Sequence, residues 1–336
     1  MLPLTGVQVI DLTDGRGEGC GRYLADLGAD VVLVEPPGGV SSRHRLPRHG
    51  DTSLSFAANA ANKRSVTLDF ADGDDRERFT DLLAAADIWI DGTDPDVLAH
   101  HGLAPDDICQ RLPHLVVVSI TEFGQWGPYR DWVATDAVHM ALTPSLSQSG
   151  VPGRAPLLPP GRFSEVAVGI QAAWVALLAY WRRLEGGEGD HLDLSVFEAT
   201  GQVIDPTIGS IGTAAAAQRP RTAARGRPPA HAYPIFRCDD GYVRLVMLSP
   251  RQWRGMFSWL GEPDAFADPK YDRISERFAA SVQLHPLIAT LVGDRTMLDL
   301  VAEGQTRGVP IAPVLTPNQV LDVEHFKARQ AFVDLD

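Results

Sequence analysis

Short apolar runs alternate with helix-patterned stretches over the first third of the chain. Residues 7–12, 31–35, 65–68, 88–90 and 115–120 are apolar runs that read as strands, and helical segments separate most of them, notably 22–27 and 74–86. Such an alternation predicts an α/β fold with a parallel sheet covered on both faces. A Pro-rich loop at 152–160 leads into a longer apolar pattern at 165–184, predicted to be a helix with Ser164 as N-cap, because its hydroxyl can accept from a first-turn amide. Gly186, Gly187 and Gly189 stop that helix. Its most apolar part, 166–181, is shorter than the roughly 20 residues a spanning helix needs, so a buried core helix is expected and no membrane. Alternation in 191–196 predicts one more strand.

Composition shifts at Gly209. Gly, Ala, Arg and Pro dominate up to Pro229, with Arg219, Arg221, Arg225 and Arg227 spaced along the stretch, which reads as a linker. A second region follows: residues 233–236, a turn at 239–241, a strand at 242–248, helices at 251–260, 276–291 and 296–304, an extended piece at 309–314 and a final helix after Pro317. The division expected is a large Rossmann-like domain over 1–200, a linker over 201–230, a smaller α/β domain over 231–315, and a C-terminal helix in 316–336.

The 336 residues are 44% hydrophobic and 22% charged, an ordinary globular composition with room for two domains. The formal net charge of −13 argues against a nucleic-acid partner. Cys20, Cys109 and Cys238 show no metal or redox spacing, and no basic segment leads into an apolar one at the start of the chain. A cytoplasmic protein without a metal is the expectation.

Residues 7–35 imitate a dinucleotide site: strand, glycine-rich turn, helix and a second strand ending at Glu35. The spacing does not fit. Gly15, Gly17, Gly19 and Gly21 alternate strictly, no three of them form G-x-G-x-x-G, and Arg16 and Glu18 put bulk and charge into the turn. A plain strand-to-helix turn is the better reading.

Several segments in order carry a stronger signal: 4–13, 24–36, 62–69, 123–129, Tyr233-Pro234 with Asp240-Gly241, and 322–332. Together they resemble the family III CoA-transferases, the CaiB/BaiF group that includes formyl-CoA transferase and alpha-methylacyl-CoA racemase. The resemblance covers nearly the whole chain. It implies a Rossmann-like large domain with a smaller α/β domain, and a homodimer, of interlocked type in many members. It also implies an acyl-CoA and a carboxylic acid acceptor as substrates, with coenzyme A carried as a thioester. In that family an Asp opening the long helix attacks the thioester and forms a mixed anhydride, then an enzyme-CoA thioester. Glu165 stands at that place. A glutamate is competent for the attack, yet its extra methylene moves the carboxylate by roughly 1 to 1.5 Å, and misplacement of about 1 Å can cost on the order of a hundredfold. As a plain first-turn acid it is also favourable against the helix dipole.

The family holds coenzyme A with basic residues. Arg43, Lys63, Arg64, His100 and Asp136 are the positions here that the resemblance implies for cofactor binding, whereas Pro37, Thr93 and Val133 stand where other members carry binding side chains. Three readings therefore stay open: an acyl-CoA:carboxylate CoA-transferase with Glu165 as catalytic carboxylate; a degenerate, non-catalytic family III half or subunit that pairs with or is fused to a competent partner; and a racemase-like isomerase. The racemase needs a His near Thr135, and His139, one turn further on, reads as a surface or core residue. The chain also stops earlier than family chains usually do, which fits a naturally short form or a piece of a longer, tandem protein.

Overall fold

The computed structural model describes residues 1–147, 149–150, 153–204 and 235–333. The chain divides into two compact units, Met1–Arg227 and Pro228–Asp336.

In the first unit, six parallel strands form one sheet in the order β5-β2-β1-β6-β7-β8. These are β1 (Gln8–Leu12), β2 (Asp30–Glu35), β5 (Lys63–Thr67), β6 (Ile88–Asp91), β7 (Val116–Thr121) and β8 (His191–Ser195). A two-residue pair, β3 (Arg48–His49) and β4 (Thr52–Ser53), stands apart. The inner strands β6 and β7 are buried at every position, while the edge strand β5 is largely open. Side chains alternate between two cores, as the pleat requires. Ile88, Ile90, Val116, Val118 and Ile120 face one core with α1 (Glu18–Asp26), α7 (Phe163–Leu184) and α8 (Val196–Ile204). Trp89, Leu115 and Val117 face the other with α3 (Gly73–Ala84) and α4 (Pro105–Arg111). Helices α2 (Leu54–Ala60), α5 (Asp136–Leu142) and α6 (Pro144–Ser147) also belong to this unit. The chain builds outward from β1 through β2 to β5 and then crosses to β6. The strand order thus reverses between β1 and β6, and a crevice at the carboxyl ends of such strands is where an open α/β sheet takes ligands.

Two starts differ from the sequence pattern. Helix α1 begins at Glu18 rather than Arg22, so half of the glycine-rich stretch is helical. Gly19 belongs there because α1 and α7 cross at this point: a Cβ on Gly169 would lie 3.2 Å from the Gly19 Cα. Helix α7 begins at Phe163, and Ser164 is inside it. The carboxylate of Asp136 supplies the missing acceptor, taking the Ser164 amide at 2.7 Å. With 22 residues, α7 is also long and apolar enough to cross a membrane by length and composition, but its small side chains, Ala167, Ala172, Ala173 and Ala176, pack into the core. Its other face leaves Val166, Ile170, Trp174, Leu178 and Trp181 exposed.

The second unit has an antiparallel sheet, β11-β10-β9, of β9 (Ile235–Arg237), β10 (Tyr242–Leu245) and β11 (Ile311–Pro313). Phe236, Val243, Trp253, Met256, Leu284, Ile288 and Leu300 form its own core. The helix expected over 276–291 is two, Ile274–Ala279 and Ser281–Val292. They part at Ala280, where φ −94° and ψ 11° leave the helical range, and buried Arg277 ties the first piece to the preceding loop by donating to the carbonyls of Tyr271, Asp272 and Met247. The segment after Pro317 is likewise two helices, Pro317–Leu321 and Glu324–Ala328. Most of the linker expected over 201–230 lies outside the described residues.

Candidate active site

A cleft of about 610 Å³ opens where β1, β6 and β7 end and α7 begins. Asp14 and Arg16 enter it from beyond β1, Asp94 from beyond β6, Glu122 from beyond β7, and Ser164 and Glu165 from the first turn of α7. The crevice at the strand-order reversal is therefore the one that Glu165 faces.

Glu165 stands between two guanidinium groups. Arg162, three residues before it, donates to Oε1, and Arg45 Nη1 lies 3.9 Å from Oε2. Burial pushes the Glu165 carboxyl above its ordinary range, and the charges of Arg162 and Arg45 pull it back. Arg45 reaches this point across Gly15, where any Cβ would collide with its guanidinium. Gly15 also has φ +90°, a left-handed conformation that favours glycine.

Asp136 is brought to the same cleft, where it holds the α7 amide of Ser164 rather than standing free. His139 lines the cleft too. It is buried, its Nε2 lies 2.5 Å from Glu122 Oε2, and its Nδ1 has no hydrogen-bond partner. Glu122 in turn accepts from Arg16 Nη1 at 2.9 Å, and Arg16 also donates to Asp94 and to the Gly92 carbonyl at 3.1 Å.

Four of the expected binding residues stand elsewhere. Arg43 forks onto Glu35 at 2.5 and 2.6 Å and stacks 4.1 Å over the Phe56 ring. Those hydrogen bonds, followed by that of Ser65 and the Val40 amide, hold the Glu35 carboxyl down at about 2 against its burial. Lys63 Nζ lies 2.8 Å from both Asp11 Oδ2 and the Glu18 carbonyl, with a side chain only 2% exposed. Arg64 forks onto Asp30 at 2.8 and 2.6 Å, and His100 Nδ1 donates to the Asp96 carbonyl at 2.7 Å. None of the four lines the cleft.

The guanidiniums that do line it are Arg16, Arg45, Arg130 and Arg162, none of them expected from the sequence as a binding residue. Arg162 had a local signal, an i, i+3 spacing to Glu165. Arg45 had none, because its approach depends on how a loop after β2 folds across the sheet. A neighbouring cavity of about 360 Å³ shares Asp94 and Arg130 and is rich in carboxylates, with Asp91, Asp96, Asp106 and Asp193. Among the described residues no group of three or more His, Cys, Asp or Glu is arranged to hold a metal ion.

The sequence pattern of CoA-transferase family III matches residues 4–336. The chain is 47% identical over 333 residues to a probable CoA-transferase of Mycobacterium tuberculosis, a match that takes in 98% of this chain and 42% of that relative, so the chain spans less than half of its length. It is 28% identical over 352 residues to the succinate–glutarate CoA-transferase of Agrobacterium fabrum, covering 99% of this chain and 85% of that one. Among solved structures, a CaiB/BaiF family protein from Brucella suis is similar with a TM-score of 0.83 and 28% identity, over 99% of this chain and 89% of that one.

Proposed function

The chain belongs to CoA-transferase family III, and on that footing we propose that it moves coenzyme A from an acyl-CoA to a carboxylic acid, with Glu165 as the covalent carboxylate. The observation that carries this reading is Glu165 itself, a partly buried acid facing the cleft at the strand-order reversal, between Arg45 and Arg162. A poorly solvated carboxylate is a better nucleophile than a hydrated one, and the amides of the first helical turn favour its ionised form. The steps balance as two exchanges. Glu165 attacks the thioester carbonyl and expels CoA thiolate, giving an acyl anhydride. The thiolate attacks the Glu165 carboxyl carbon and releases the first acid. The acceptor carboxylate then attacks the enzyme thioester, and the thiolate returns to the new acyl carbon, freeing Glu165. The succinate and glutarate named for the Agrobacterium relative support a carboxylic acid as acceptor. A homodimer is part of the proposal, supported by the exposed apolar stripe of α7.

The second reading is a non-catalytic family III half that pairs with a competent one. It is favoured by the engagement of Arg43, Lys63 and Arg64 with Glu35, Asp11 and Asp30, which leaves those cations unavailable to phosphates. Incubation with acyl-CoA, trapping with hydroxylamine or borohydride, and peptide mass analysis separate the two. The expected product is an adduct on the peptide carrying Glu165, abolished in Glu165→Gln. In Glu165→Asp turnover falls on the order of a hundredfold, because the shorter acid retreats by roughly 1 Å from its two arginines. No adduct in the wild type, together with no CoA binding by calorimetry, removes the transferase reading and leaves the second.

A further inference from the structure

A carboxylate that attacks a thioester must have its tetrahedral oxyanion stabilised, and donors about 3 Å from the place where that oxygen develops contribute most. Several polar side-chain atoms are buried without a partner among the described residues, and three of them, Arg45 Nη1, His139 Nδ1 and Ser164 Oγ, belong to residues lining the Glu165 cleft. Of these only Arg45 carries a permanent charge. Its Nη1 lies 3.9 Å from Glu165 Oε2, too far for a hydrogen bond, but suited to one further oxygen held between them. The other carboxylate oxygen is held by Arg162, so Oε2 is the oxygen free to attack.

Resting on the transferase reading, we propose that Arg45 is a catalytic residue whose Nη1 donates to the oxyanion formed when Glu165 attacks the acyl-CoA carbonyl. In that step a bond forms between Oε2 and the carbonyl carbon, and the carbonyl π pair moves onto its oxygen, which shares that carbon with the attacking atom. The new negative charge lies beside Nη1. Collapse of the tetrahedral species returns the pair to the carbonyl and expels the CoA thiolate. The donation is stronger in the transition state than before it, because the buried Nη1 has no hydrogen-bond partner at rest. Gly15 belongs to the same device, since any larger residue there displaces the Arg45 guanidinium.

The test is a single-turnover measurement of acid release from acyl-labelled acyl-CoA by the whole chain in the wild type, Arg45→Met, Arg45→Lys and Arg45→Gly. Arg45→Met is expected to slow release on the order of 10²–10³-fold while half-saturation by acyl-CoA moves less than about threefold. Arg45→Lys falls between, and millimolar guanidinium restores part of the rate to Arg45→Gly but none to Arg45→Met, a rescue that a merely structural arginine does not show. An unchanged release rate with a raised KM for the acceptor acid overturns the proposal and makes Arg45 a ground-state carboxylate binder. Loss without rescue by either lysine or guanidinium also overturns it. If the wild type forms no adduct and releases no acid, the transferase reading falls with it; if wild type and variants release the acid alike, only the role of Arg45 falls.

Discussion

Lys63 stands at the start of the open edge strand β5, yet its side chain turns inward under α1 to Asp11. A cation in the right segment of the chain is thereby removed from the surface where a phosphate would meet it. Lys63→Met leaves Asp11 buried without its counter-ion, and a loss of about 3–5 kcal/mol is expected in denaturant unfolding, with CoA binding by calorimetry unchanged in the fraction that stays folded. Glu35 makes a related point through pH. Its carboxyl is held at about 2 in the fold against an ordinary value of 4.5, chiefly by Arg43. A depressed acid contributes stability above its unfolded value and loses it as pH falls towards the folded one. Urea midpoints are expected to drop between about pH 5 and 2, with a shallower slope in Glu35→Gln; equal slopes would show that the Arg43 pair is energetically idle.

Helix α7 carries the candidate carboxylate, and its placement depends on contacts within its first two turns. Asp136 holds the Ser164 amide, and Gly169 lets the helix backbone come down onto Gly19 of α1. Gly169→Val has to push these helices apart, which is expected to cost about 1–3 kcal/mol and to displace Glu165, only one turn away. Thermal unfolding and the yield of trapped Glu165 adduct should both fall; a stable variant with full adduct yield would show that the crossing does not position the carboxylate. The apolar run of α7 was legible because burial follows a local period. Its first two residues were not, since the acceptor for Ser164 comes from α5, 28 residues earlier. Glycines at 15 and 19 suggested a phosphate turn by composition alone, whereas in the fold one makes room for an arginine and the other for a helix.

Taken as a molecule, the chain has two units with separate cores and a large unit whose longest helix keeps one apolar side uncovered. Trp174, 53% exposed in the middle of that stripe, is the residue on which the proposed homodimer is best tested. In sedimentation, Trp174→Glu is expected to shift the protein to monomer with its circular dichroism unchanged. An identical mass for variant and wild type would place the subunit contact elsewhere.

Local pattern was enough for the α/β architecture, the sheet strands and the choice of Glu165 as the candidate carboxylate, which the fold brings to the cleft, because strand and helix periods and the ordered family segments are written in neighbouring residues. Which charges surround that carboxylate was decided by the fold. Arg45, Asp136 and His139 reach the cleft from separate loops and helices, while Lys63 and Arg43 are drawn away to Asp11 and Glu35. A buried charge takes the partner that tertiary packing brings within a few ångströms, and no spacing along a chain states that distance.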